Sequence, residues 1–193
     1  MNPGGGKSKG SAFERTICRS LTQWISGEEK PELFWRTAGS GAAATVDMRK
    51  GKKASMHGDI MSIDPLSAWL TDVFYIECKS YKKLDILSLF VKKGTLYQFW
   101  QKLDEESKKA EKIPMLIFKW NASQVYLAMP AAMLDGLPLD LLEFMVLNIK
   151  TFNYDIAVFD FSMFIQEVDC KTLQNEMHEN LKYYKRMVHG RGE

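Results

Sequence analysis

Cysteine is scarce in this chain. Three occur in 193 residues, Cys18, Cys78 and Cys170, far apart and without a Cys-x-x-Cys pair. That excludes a disulfide framework and a zinc knuckle, and it fits a reduced, intracellular (cytoplasmic) protein. Long apolar runs are missing as well: no uncharged stretch approaches the ~18 residues that cross a bilayer, so no membrane partner is expected. Met1-Asn2-Pro3-Gly4-Gly5-Gly6-Lys7 has no apolar core, so no secretory signal is expected. Bulk charge of one sign is absent too, the net being +2. Its distribution is less even, because residues 1–93 carry 15 Lys/Arg against 10 Asp/Glu and residues 94–193 carry 11 against 14. Positive charge in the first half would offset the repulsion between a polyanion and any acidic site there, though on charge alone a solvated surface loop is the better explanation.

What is present is a core. An apolar content of 46%, with five Trp and eleven Phe, suffices for one domain of this length. The Gly- and Lys-rich residues 1–10 read as a flexible basic arm. From Ser11 the spacing of Phe13, Ile17, Cys18, Leu21, Trp24 and Ile25 predicts a helix that fades near Gly27, with Ser11 and Glu14 as a capping box. Strands are expected at 33–37, 58–63 and 73–79, the last two joined by a long Asp64–Asp72 connection. Leu84–Val91 reads as a short helix or ordered loop. A helix follows over 96–111, capped by Thr95 with Gln98 at the box position and a stripe of Leu96, Phe99, Trp100, Leu103 and Ala110. Strands at 114–120 and 124–129 flank a turn; then come a helix over 138–149, a strand over 155–161 and a final helix over 171–188. The last carries Leu173, Met177, Leu181, Tyr184 and Val188 on one side. The order describes an α/β domain with a mixed sheet and helices on its faces.

Two apolar runs hold carboxylates. In Phe74-Tyr75-Ile76-Glu77-Cys78-Lys79-Ser80, strand alternation puts Glu77 and Lys79 on one face. If Gly58-Asp59-Ile60 pairs with this run, Asp59 joins them. Two carboxylates beside one ammonium suit a hard divalent ion such as Mg²⁺. A carboxylate inside an apolar strand is costly unless paired or metal-bound, whereas an exposed Glu77–Lys79 ion pair would contribute little and leave Asp59 unexplained. Asp64, before Pro65, reads better as a turn opener, and Asp47 is a weaker rival.

Taken in order, Lys9-Gly10-Ser11-Ala12-Phe13-Glu14-Arg15, Arg36-Thr37-Ala38-Gly39-Ser40-Gly41, Gly58-Asp59-Ile60 and Ile76-Glu77-Cys78-Lys79-Ser80 resemble the PD-(D/E)xK nuclease superfamily. Within it, the likeness is to archaeal-type Holliday junction resolvases, over about residues 9–129. Two features depart from the pattern: Gly58 stands where a proline is usual, and the connection after Ile63 is long. The resemblance implies a restriction-endonuclease-like core over 11–170, with 171–193 as a terminal helix and tail. It implies a metal-dependent DNA endonuclease using Mg²⁺, with Mn²⁺ able to stand in, acting on branched DNA as a homodimer. Restriction- or repair-type cutting of linear duplex and a catalytically silent DNA-binding module are the alternatives.

By the same resemblance Asp59 and Glu77 would hold the metal, with the Cys78 carbonyl as a further ligand. Lys79 would orient the attacking water and offset phosphorane charge. Glu14 would complete the acidic cluster, or else serve only as the capping partner of Ser11; both remain open. Ser40, between two glycines, would bring a hydroxyl and backbone N–H groups to the scissile phosphate. Arg36, Lys52, Lys53, Lys82 and Lys83 are candidate DNA contacts. Gln98 and Gln101 read as a cap and a solvent-facing side chain, and His57 as a neighbour of the site. The Cys78 side chain should face the opposite way, into the core.

Overall fold

Strict alternation makes Phe74–Tyr81 the strand on which the fold is organised: Phe74, Ile76 and Cys78 are buried, while Tyr75, Glu77 and Lys79 are only partly covered. The computed structural model describes residues 5–28, 31–37, 58–89, 91–138, 143–149 and 151–189. Along the chain these form α1 (Gly5–Ser26), β1 (Phe34–Arg36), β2 (Ile60–Ser62), α2 (Ala68–Val73), β3 (Phe74–Tyr81) and α3 (Thr95–Lys109). Then follow β4 (Ile113–Trp120), β5 (Tyr126–Pro130), β6 (Phe144–Leu147), β7 (Ile156–Asp160), α4 (Phe161–Glu167) and α5 (Cys170–His189).

The main sheet has five strands in the order β3-β4-β5-β7-β6. β3 and β4 run parallel and the other neighbours antiparallel, so the sheet is mixed, as expected. The parallel pair needs a crossover, which α3 supplies by packing on both β3 and β4. α1 packs on β1 and β3, and its stripe of Phe13, Ile17, Cys18 and Leu21 is buried. α5 buries Leu173, Met177 and Tyr184 in the chain's own core, so that apolar side is already used.

Several expectations need correction. The first helix starts at Gly5, not Ser11, so the basic arm does not extend to residue 10; residues 1–4 lie outside the described residues. Ser11 is therefore interior to the helix and no capping box forms. Thr95 is helical, and the cap is Gly94, at φ 93°, whose carbonyl accepts from the Gln98 N–H at 3.1 Å. Of the helix expected over 138–149, Phe144–Leu147 is instead strand β6, and residues 139–142 lie outside the described residues. A short apolar run such as Phe144-Met145-Val146-Leu147 fits either element by periodicity, and pairing with β7 decides it. The Asp64–Asp72 connection contains a 3₁₀ turn, Pro65–Ser67, and α2. Asp64 opens that turn by accepting from the Leu66 N–H at 2.9 Å, the turn-opening role its place before Pro65 suggested. Asp47 lies outside the described residues.

One buried polar group fixes how α3 meets the distal part of the chain. Asp104 is buried, accepts from Lys108 Nζ at 2.6 Å, and takes the Tyr154 phenol O–H fifty residues away. Burial, then Tyr184 and Asp104, push the Tyr154 phenol far up, so it remains a donor. Replacing Asp104 by Ala strands that hydroxyl and opens a void. Asp104→Ala is expected to cost about 2–4 kcal/mol in urea unfolding, and Tyr154→Phe less.

Candidate active site

Glycine places the first carboxylate. Gly58 sits at φ 85°, and a Cβ there would lie 2.4 Å from the Ile76 carbonyl oxygen. Only glycine tolerates that approach. Proline, with φ fixed near −65°, cannot adopt this backbone, which accounts for the departure from the resolvase-like pattern. The corner is tied on both sides. Thr37 N–H donates to the Asp59 carbonyl at 2.9 Å, and the Thr37 hydroxyl donates to the Gly58 carbonyl. On the other side, Asp59 N–H donates to the Ile76 carbonyl at 2.8 Å. The Cys78 N–H in turn donates to Asp59 Oδ2 at 2.9 Å. Among the described residues Asp59 thus docks on the outer edge of β3 without a ladder, since β2 pairs with β1.

At that edge the charged groups converge. Lys79 Nζ donates to Glu77 Oε1 and lies 3.6 Å from Asp59 Oδ2, so one ammonium touches both carboxylates. Glu14 stands on α1 and takes Arg36 Nη1 at 3.4 Å. With no capping duty left, its carboxylate belongs to this cluster. Arg36 serves the cluster as Glu14's partner and is less exposed than a free surface charge, its side chain being 28% accessible. Among the described residues these ion pairs join three carboxylates to two cations, an excess of one negative charge.

Burial and that excess together set the electrostatics. Burial first, then the Asp59 charge, raise the Glu77 carboxyl above its ordinary value, and Lys79 only partly opposes them. The same two causes, in the same order, raise Glu14 against Arg36. Burial pulls the Lys79 ammonium down, but Glu77 and Asp59 outweigh it and the net shift is upward. Lys79 therefore remains charged, which favours positioning and charge stabilisation over proton abstraction. A carboxyl whose folded value is raised contributes stability that is fully present below the unfolded value and lost as pH rises through the folded one. In EDTA, Glu77→Gln should therefore melt higher than the parent at pH 7.5, with the gap closing towards pH 5. Thermal unfolding at the two pH values checks this.

Among the described residues no group of three or more His, Cys, Asp and Glu is placed to hold a metal ion, so Glu14, Asp59 and Glu77 do not form a ready-made ligand set. The donor set nevertheless fits a hard divalent cation: carboxylates in excess, a backbone carbonyl at Cys78, and solvent access for water ligands. The Cys78 side chain is buried in the core as expected, and burial raises its thiol well above the ordinary value.

Lys82 and Lys83 are exposed just beyond β3. Gln98 is exposed, and Gln101 donates to Glu105 Oε1 at 3.4 Å. Ser40, Lys52, Lys53 and His57 lie outside the described residues. Two neighbours escaped the sequence reading. The Tyr75 hydroxyl donates to Glu106 Oε2 at 3.1 Å, and Phe99 presents its ring to Lys79 Nζ at 5.7 Å. Tyr75 precedes Glu77 by two positions, so alternation alone could have found it; the Phe99 contact needs the packing of α3.

A mixed sheet flanked by helices, with an acidic cluster and a lysine at one strand edge, defines the restriction-endonuclease-like class of nuclease fold. A family profile described as "Phage putative PDDEXK endonuclease" matches residues 5–175, and the chain belongs to that family. No curated protein and no solved structure matches the chain. Among the described residues no helix is long and apolar enough to cross a membrane.

Proposed function

We propose that this family member is a Mg²⁺-dependent endodeoxyribonuclease that cuts branched DNA in the manner of Holliday junction resolvases. The observation that carries the reading is the single ammonium, Lys79, touching both Asp59 and Glu77 at an open strand edge. Asp59, Glu77 and the Cys78 carbonyl would hold the ion, with Glu14 reaching it through water; Mn²⁺ would substitute. When bound, such an ion polarises a phosphoryl oxygen and lowers the pKa of its water. Lys79 orients the attacking water and offsets charge developing on the phosphorus oxygens. Arg36 holds Glu14 in place. Ser40, Lys52, Lys53, Lys82 and Lys83 would contact the DNA backbone. Symmetric cuts across a four-way junction need two sites, so the working unit would be a homodimer.

Labelled four-way and linear DNA, with Mg²⁺ or EDTA, test this directly. Metal-dependent cutting of the branched substrate, abolished in Asp59→Asn, is expected. Equal cutting of linear duplex would overturn the junction preference, and binding with no product would overturn the hydrolase reading.

A further inference from the structure

The face of β3 that carries Glu77 and Lys79 continues to Tyr81, and nothing in the cluster uses it. We infer that Tyr81 stacks on an unpaired base beside the scissile phosphate, so that the enzyme selects DNA with a base already out of the helix. This rests on the nuclease reading above and names the substrate feature that site recognises.

Two positions along a strand span on the order of 7 Å, which is the scale of one nucleotide. Tyr81 is 49% exposed, whereas the other aromatics of its strand are buried (Phe74) or half-buried (Tyr75). Its ring is held by Phe99, centroids 5.6 Å apart at 75°, in an edge contact that fixes its orientation. Phe99 is the same ring that faces Lys79 Nζ, so α3 sets the ammonium and the tyrosine relative to each other. Lone exposed aromatics are ordinary on protein surfaces; this one is not alone. Lys82 and Lys83 follow it, exposed and without an acidic partner among the ion pairs of the described residues.

The same connection exposes Leu87 and Val91, each 64% accessible, and then Lys92 and Lys93. Its one acid, Asp85, turns its carboxylate onto the Leu87 N–H at 2.9 Å. Apolar tips among lysines match nucleic acid better than a protein or a lipid surface: the lysines track phosphates, while rings and aliphatic tips meet bases. Continuity with Lys79 puts that contact next to the reacting phosphate.

Metal-free protein in EDTA, mixed with a DNA fork carrying 2-aminopurine at the first unpaired position, tests the inference without cleavage. The parent protein should quench the fluorophore and bind the fork about tenfold tighter than a continuous duplex of equal length, the size of one base–aromatic stack. Tyr81→Phe should retain both effects. Tyr81→Ala should lose quenching and bring the affinity ratio within about twofold of unity, with an unchanged circular dichroism spectrum. Tyr81→Ala behaving as the parent would overturn the inference. Tyr81-dependent quenching without Mg²⁺-dependent cutting would support the stack while sinking the hydrolase reading, so the two failures are distinguishable.

Discussion

Gly58→Ala is expected to abolish cleavage while leaving every charged side chain in the sequence. The new methyl group would sit 2.4 Å from the Ile76 carbonyl oxygen, and φ is 85°. The obstacle is the backbone of β3, which pairs with β4 along its whole length; a flexible side chain could swing aside, but this cannot. The corner must therefore lift. Lifting it breaks the Asp59 N–H to Ile76 bond and the Cys78 N–H to Asp59 Oδ2 bond, and carries the carboxylate away from Glu77 and Lys79. The steric and left-handed costs together come to about 2–4 kcal/mol of stability. Misplacing a catalytic group by about 1 Å costs on the order of 10²-fold in rate, and loss of the ligand costs more. Single-turnover cleavage alongside urea unfolding checks both effects. An alanine variant that cuts at the parent rate would show that the corner does not set the carboxylate.

Lys79→Met should separate metal binding from chemistry. The ammonium and a divalent ion would compete for the same two carboxylates, Asp59 and Glu77. Removing the ammonium leaves those carboxylates repelling each other across a partly desolvated edge, so the metal-free variant should melt lower than the parent. Added Mg²⁺ should then raise its melting temperature by more than it raises the parent's, because binding to the native state alone stabilises by mass action. Cleavage should nonetheless fall about 10²–10³-fold, the usual loss when one group that stabilises the transition state is deleted. Thermal shift against Mg²⁺ concentration, paired with single-turnover rates, reads the two effects independently. A variant that loses metal stabilisation and cleavage together would make Lys79 part of the binding site and not of the chemistry.

How much of this was legible in the sequence depended on the range of the contact. Glu77 and Lys79 sharing a face needs only the two-residue period of a strand, and it was readable. So was the Gly58-Asp59 step, although the reason for glycine was not: it lies in the nearness of Ile76, eighteen residues away, which no local pattern encodes. Glu14 shows local chemistry misleading. Ser11 and Glu14 match a capping box, yet the helix begins at Gly5, Ser11 lies inside it, and Glu14 faces Arg36 on β1. β6 shows the opposite limit, since four apolar residues in a row carry no period and only the ladder with β7 makes them a strand. The Asp104–Tyr154 and Tyr75–Glu106 bonds join residues 50 and 31 positions apart, beyond the reach of any window.

The central claim is that Asp59 and Glu77 grip one divalent ion at the edge of β3, beside Lys79. Crystals grown with Mn²⁺ and measured at its absorption edge test it most directly. The account predicts an anomalous peak bonded to both carboxylates and to the Cys78 carbonyl oxygen. A peak elsewhere, or the two carboxylates turned to opposite sides of the strand with no density between them, would contradict it.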